Sequence, residues 1–385
     1  MGAKKLELYL HIPFCIKKCA YCDFLSAPAD QRTRSAYVEA LIREIAEKSQ
    51  VYKEYSVPSL FLGGGTPSVL LGEEILRIME AVFSSFQVEA EAEITIECNP
   101  GTLNEKKAAD YRRAGINRIS LGLQSAKDRE LALLGRIHSW RDFLESFGIL
   151  RAAGFSNINV DLMSGLPYQR LEDWAYSLEQ TVRQKPEHIS AYSLMVEEGT
   201  PFYQHFGQDE KRREAGETPE ALPAEEEERR MYGWTASYLK TQGYMQYEIS
   251  NYARPGMECC HNIGYWTLVN YLGLGLGSAS LVEGVRFSNP RDLSAYLAGD
   301  FSCREREVLS RGMQMEEFMF LGLRMLRGVS RAEFRSRFGV EPEAVYGSEM
   351  ARLCRQGLLE QQAGFLRLTE QGISVSNYVM AEFIK

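Results

Sequence analysis

Three things are scarce in this 385-residue chain, and each absence closes off a class of protein. No run of about eighteen apolar residues occurs, so no segment is suited to cross a membrane as a helix. A surplus of positive charge is missing: 44 Lys and Arg face 52 Asp and Glu, a net charge of −8, which argues against a nucleic-acid partner or an anionic membrane engaged through bulk charge. A basic-then-apolar leader is missing as well, so the expectation is a cytoplasmic protein whose cysteines stay out of disulfides. What remains, at 45% hydrophobic and 25% charged residues, is the composition of a globular protein with a large core, longer than one average domain.

Of the eight cysteines only three form a framework: Cys15, Cys19 and Cys22, in His11-Ile-Pro-Phe-Cys-Ile-Lys-Lys-Cys-Ala-Tyr-Cys-Asp23. The C-x3-C-x2-C spacing lets three thiolates hold three irons of a cubic four-iron cluster. The fourth iron is then left open, a place for chemistry and not only for electron transfer. Zinc is the alternative, with His11 as the fourth ligand, and inert thiols are a third reading.

Apolar runs and helical periodicity alternate along the first half. Strands are expected at Leu6–Phe14, Ser59–Gly65, Glu93–Cys98, Arg118–Gln124, Asn157–Met163 and His188–Met195. Helices are expected at Thr33–Tyr52, Glu73–Phe86, Asn104–Ala114, Ser139–Ala153 and Leu171–Gln184. This alternation implies parallel strands with right-handed crossovers, and short apolar runs such as Ile94-Thr-Ile96 suggest strands covered on both faces. The chemically able residues fall just past strand ends: the cysteine loop, Gly63-Gly-Gly-Thr-Pro67, Glu97-Cys-Asn-Pro100, Gln124-Ser125, Asp161, and Met195 to Glu197. That is the edge where barrel-type α/β folds build their sites, so the fold class is α/β with an incomplete six-step (β/α) TIM-like barrel; an open doubly wound sheet is the alternative.

Gly63-Gly64-Gly65 permits unusual backbone angles and close approach, though a tight strand-to-helix turn needs no more than that. Glu97, Gln124 and Asp161 end apolar strands and need partners, either a polar ligand or neighbouring loops. Arg136 is placed to fork onto a carboxylate, or to sit solvated at the surface.

Together the cysteine triplet with its interposed Tyr21, the glycine turn and the six-step α/β half resemble the radical S-adenosylmethionine (SAM) superfamily. Within it the chain resembles the oxygen-independent coproporphyrinogen III oxidase family, and His261-Asn-Ile-Gly-Tyr-Trp266 points to the haem-chaperone branch. The resemblance implies that Cys15, Cys19 and Cys22 bind a [4Fe-4S] cluster. It also implies that Tyr9, Tyr21, Gly64, Gly65, Thr66, Glu97, Gln124, Arg136 and Asp161 contact SAM, with Met195 giving a backbone contact. The chemistry implied is one-electron reduction of SAM to methionine and a deoxyadenosyl radical, with the protein orienting the cofactor and excluding oxygen. Haem is the implied cargo, and apo-haemoproteins, respiratory membrane-associated ones included, the implied acceptors; a homodimer is compatible with the family.

Two departures from the oxidase pattern matter. Phe24 stands where the oxidase has a fourth cysteine, two residues after the third, and the first strand begins by Leu6, with little ahead of it. Both put coproporphyrinogen decarboxylation in doubt and favour haem binding and delivery, with a porphyrin-directed oxidoreductase or methyltransferase as the alternative. A neutral imidazole is the commonest protein ligand of haem iron, so His261 is the candidate ligand. Tyr265 and Trp266 are candidates to pack on the porphyrin, and Asn262 to hydrogen-bond a propionate or orient the histidine. Cys259 or Cys260 as ligand, and a plain loop histidine beside core aromatics, stay open.

Glu225-Glu-Glu-Glu228 reads as a solvated helix start within a linker-like Gln208–Arg230, followed by a helix Glu225–Thr241. Gly273-Leu-Gly-Leu-Gly277 reads as close backbone packing and not as a nucleotide loop. The chain is expected to divide into a partial barrel at 1–235, a barrel extension carrying the HNxxYW motif at 236–303, and a winged-helix-like domain at 304–385 with helices at Met313–Leu326, Arg331–Phe338 and Glu343–Gln356, a hairpin turning at Ala363-Gly364, and a last helix. The last domain has 12 basic and 11 acidic residues, so it lacks a DNA-binding footprint and reads as a lid or docking module.

Overall fold

The structure is a computed structural model and describes residues 4–385. Its first strand, Glu7–Ile12, explains the rest of the barrel. Leu8, Leu10 and Ile12 are fully buried on one face, while Glu7, Tyr9 and His11 alternate onto the other. Parallel register carries the same alternation sideways: Leu8 pairs with Leu60 and Leu10 with Leu62, while Tyr9 pairs with Phe61 and His11 with Gly63. Ile94 and Ile96 lie in register with Leu60 and Leu62. The expectation of strands covered on both faces holds, with Arg118–Gln124 buried throughout, but the two faces differ in chemistry. Their Leu and Ile side chains join the main core with the helices, and their other face lines a lumen rich in polar side chains.

The strands Tyr55–Gly64, Gln87–Cys98, Arg118–Gln124, Ile158–Ser164 and His188–Ser193 follow in order, each parallel to its neighbour. Helices Gln31–Ser49, Gly72–Ser85, Glu105–Arg113, Trp140–Ala152 and Leu171–Arg183 form the crossovers. Their starts are set by local chemistry: Asp30 accepts the Thr33 N–H at 2.8 Å, and Ser139 and Asp142 cap each other's turn. A seventh parallel strand, not expected from the sequence, is Tyr271–Leu274, which pairs with Glu7–Leu10. Gly273 is required there, because a Cβ would lie 2.3 Å from the Ala279 carbonyl. Antiparallel strands extend both edges, and among the described residues the two edges do not pair, leaving the barrel open.

The segment read as a linker starts inside a helix, Pro201–Glu214, and the loop after it is held by Asp209, whose carboxylate accepts the N–H groups of Glu220, Ala221 and Leu222 at 3.0, 2.6 and 3.0 Å. The helix Glu225–Thr241 forms as expected. Beyond it, helices Arg311–Gly322, Arg331–Phe338 and Pro342–Arg355 pack around Phe318, Phe334, Phe338 and Tyr346 in a second core. The hairpin Leu359–Gln362 with Phe365–Leu368 turns at Ala363 and Gly364, and Val329–Ser330 adds a third strand, the wing of a winged-helix arrangement. The expected last helix is split in two, Glu370–Ser374 and Ser376–Ala381. Among the described residues no helix is long and apolar enough to cross a membrane.

Candidate functional site

The loop after the first strand is pinned on several sides. Cys15 N–H donates to Ala27 O at 3.2 Å, Ala27 N–H to Pro13 O at 3.0 Å, and Ala20 N–H to Leu134 O at 3.1 Å. This leaves Cys15, Cys19 and Cys22 as free, half-buried thiols facing one cleft. Burial pushes the Cys22 thiol up. His11 does not complete a zinc site: its Nδ1 pairs with Tyr9 Oη at 3.1 Å and its Nε2 with Leu25 O at 2.9 Å. Nor, among the described residues, do three His, Cys, Asp or Glu side chains gather around one point to hold a single ion. Three thiolates that each take a different iron of a cubane need not converge so, and the donor set fits that larger group.

The glycine turn is fastened to the cysteine loop. Gly65 N–H donates to Ile12 O at 2.9 Å and Thr66 N–H to Phe14 O at 2.7 Å. A Cβ on Gly64, at φ 113°, would lie 2.5 Å from the His11 ring, and one on Gly65 would lie 2.7 Å from Phe14 O. The close approach that requires these glycines is thus between turn and loop. A polar bridge then links two of the cysteines. Thr66 Oγ1 donates to Cys15 Sγ at 3.4 Å and accepts from Asn99 Nδ2 at 2.9 Å. Asn99 Oδ1 accepts from Arg136 Nη2 at 2.6 Å, and Arg136 Nη1 donates to Cys19 Sγ at 3.6 Å. Asn99 is the residue that sequence reasoning passed over, although it stood inside the Glu97-Cys-Asn-Pro100 motif. Arg136 Nη2 also holds Gly122 O at 2.7 Å, so both its terminal nitrogens are engaged by protein.

The cleft, about 1660 Å³ including its solvent-open part, is lined by the three cysteines and by Tyr21, Gly64, Gly65, Thr66, Glu97, Gln124, Arg136, Asp161 and Met195. Glu97 Oε2 accepts the Gly64 N–H at 3.1 Å; burial and the Asp161 charge push its carboxyl up to about 8. Asp161 accepts from Asn159 Nδ2 at 2.7 Å and Ser120 Oγ at 3.0 Å, and burial raises it too. Gln124, at φ 71°, accepts from Tyr192 Oη at 3.0 Å. Tyr9 does not line the cleft. It sits against Phe61 and Gly63 and bonds to His11, whose ring lies beneath Gly64.

His261 is also apart from the cleft, at the opposite, N-terminal end of the strands. Its segment is a short helix, Cys260–Trp266, and not a loop. Glu93 caps that helix, accepting from Cys260 N at 3.0 Å and His261 N at 3.2 Å. The buried ring pairs Nδ1 with Ser59 Oγ at 2.9 Å and Nε2 with Tyr265 Oη at 3.1 Å, and it stacks on Phe61. Burial, with Arg118 nearby, pushes it down to about 3. In this arrangement both ring nitrogens are engaged by protein groups. Cys259 is buried against Glu93, and Cys260 is exposed.

A partial barrel with three cysteines at its mouth, a glycine turn after the second strand and a winged-helix module behind it is the architecture of a radical SAM protein. The Radical SAM superfamily model matches residues 9–180, and the HemN C-terminal domain model matches residues 309–375. Curated proteins named heme chaperone HemW are similar over the whole length: that of Lactococcus lactis at 34% identity, covering 100% of this chain and 98% of its own, and that of Escherichia coli at 34%, covering 98% of each. The solved structure of the E. coli coproporphyrinogen III oxidase HemN shares the fold, with a TM-score of 0.83 at 23% identity over 99% of this chain and 90% of its own. The chain belongs to the HemW family of radical SAM proteins.

Proposed function

We propose that this protein binds a [4Fe-4S] cluster, SAM and haem, and passes haem to apo-haemoproteins, respiratory membrane-associated ones included. The observation that carries the reading is the opening of three supported, unpaired cysteines onto one cleft with an acidic inner wall; the names of the full-length relatives supply the cargo. In this proposal Cys15, Cys19 and Cys22 hold the cluster, and Tyr21, Gly64, Gly65, Thr66, Glu97, Gln124, Arg136 and Asp161 surround SAM. Tyr9 acts one step back by orienting His11 beneath the turn. When bound, cluster and SAM supply one-electron reducing chemistry; the chain's own residues orient them and shield them from water. The division at 1–235, 236–303 and 304–385 belongs to the same proposal, with the last part a docking or lid module, as does a homodimer.

Haem bonding to His261 belongs to an opened form of Cys259–Trp266, since Ser59 and Tyr265 hold both ring nitrogens when it is closed. Ser59→Ala and Tyr265→Phe release the ring and are expected to tighten haem if His261 is the ligand. His261→Ala binding haem as wild type does makes the histidine a structural post instead. The function as a whole is tested by anaerobic reconstitution with iron and sulfide analysis, followed by a haem titration and transfer to an apo-haemoprotein. The alternative, a porphyrin-directed oxidoreductase or methyltransferase, is opposed by Phe24, which stands 69% exposed at the cleft in place of a fourth cysteine. Sustained decarboxylation of coproporphyrinogen III by the purified protein would overturn the chaperone reading.

A further inference from the structure

The cleft wall contributed by the C-terminal domain holds an incompletely paired arginine. Arg324 follows the helix Arg311–Gly322 where that domain meets the barrel: Leu326 N–H donates to Tyr247 O at 3.0 Å, and Met325 bridges Glu248. Its guanidinium lies over the Trp266 ring, 4.3 Å from the centroid. Among the described residues the guanidinium makes one protein hydrogen bond, from Nη2 to Glu248 Oε2 at 3.5 Å, and its buried Nε has no partner. Glu248 is fully buried, and its other oxygen is engaged by Ser250 N at 2.8 Å and Asn251 Nδ2 at 2.6 Å. Arg324 is 26% exposed and opens on the cleft beside Ser193, Met195 and Ser250.

The other guanidinium of the lining, Arg136, has both terminal nitrogens held by Asn99, Gly122 and Cys19. The remaining cation of the lining, Lys17, sits on the cysteine loop. Arg324 is therefore the fork left to bind an anion on the far wall, pre-set by a stacking partner below and a weak carboxylate contact behind. Because Glu248 already offsets part of the charge, a monovalent, planar carboxylate suits it better than a phosphate.

We infer that Arg324 anchors a carboxylate of the molecule carried in the cleft, with Trp266 and Glu248 as positioning residues. The inference rests on haem as that molecule, whose two propionates are its anions. It also gives the tryptophan of the HNxxYW segment a task that His261 does not share.

The test titrates haem and haem dimethyl ester, in which both propionates are blocked, into the reconstituted full chain, wild type and Arg324→Gln, with thermal melting and iron content as controls for folding and cluster. The expectation is that wild type prefers haem over the ester by about tenfold or more, the scale of one charge-assisted hydrogen bond, and that Arg324→Gln loses that preference. Arg324→Lys keeps part of it, and Trp266→Leu reduces it with iron content unchanged. Wild type binding haem and ester alike overturns the inference without needing any variant. An Arg324→Gln protein that keeps the full preference overturns it too, while haem binding itself stands. Absence of haem binding in wild type overturns the underlying haem reading together with it.

Discussion

Asn99→Ala should loosen the cluster site while leaving the barrel folded. The side chain is half-buried and makes two bonds, a neutral one to Thr66 and one accepting from the Arg136 guanidinium. A neutral hydrogen bond contributes about 1 kcal/mol net and one to a charged group about 1.5–3 kcal/mol. Gly122 O still holds Arg136 Nη2 in the variant, so the lower end applies, about 2.5 kcal/mol in all, or roughly a 70-fold change in an equilibrium. The loss falls on the bridge that ties Cys15 to Cys19. Its readout is the rate at which an iron chelator bleaches the visible absorption of the anaerobically reconstituted protein, beside urea unfolding of the metal-free form. Thr66→Val, which removes only the hydroxyl, should give a smaller loss, and Asn99→Asp, which keeps the acceptor for Arg136, should keep that arm. Asn99→Ala holding its iron as long as wild type, with an unchanged unfolding midpoint, would refute the bridge as the support of the cysteines.

Gly65→Ala should abolish iron retention with only modest loss of fold, because its Cβ would lie 2.7 Å from Phe14 O, next to Cys15; iron analysis and circular dichroism check it. Gly264→Ala should lower stability by about 1–3 kcal/mol, since its Cβ would lie 2.0 Å from the buried Glu7 carboxylate, and an unchanged urea midpoint would reject the tight seat of that helix. Glu97, held near 8 against an ordinary 4.5, favours the folded state most below about pH 4.5, and that contribution is lost as pH rises through about 8. Binding of the cationic SAM should therefore tighten between pH 6.5 and 8.5, by calorimetry, and Glu97→Gln should flatten the profile. Glu7, also near 8, shifts stability in the same direction, while His261, near 3 against 6.5, contributes stability above its usual range that is lost as pH falls toward 3.

The elements legible in the sequence were those whose signal is local. Arg118–Gln124 and Glu225–Thr241 begin and end where periodicity puts them, and Asp30, Asn104 and Ser139 cap their helices through bonds to nearby residues. What escaped was set by distant partners. Tyr271–Leu274 is a short run with a glycine inside it, and only the first strand and Ala279 make it a strand. Pro201–Glu214 is too polar along its length to declare a buried face. The inward polarity of the strands was hidden because Ile94-Thr-Ile96 looks like one apolar run until register puts Thr95 beside Phe61 and Arg118. At the site, the cysteines announce themselves by spacing, whereas the Thr66–Asn99–Arg136 chain joins residues 33 and 37 positions apart and has no local pattern.

The short helix Cys260–Trp266 closes the lower end of the lumen, pressed on Glu7, capped by Glu93 and pinned to Ser59, while the cysteines open at the upper end. The segment acts as a keystone: with or without a bound cofactor, its contacts keep the staves together. The same residues thus serve the masonry of the lower end whatever the upper rim holds.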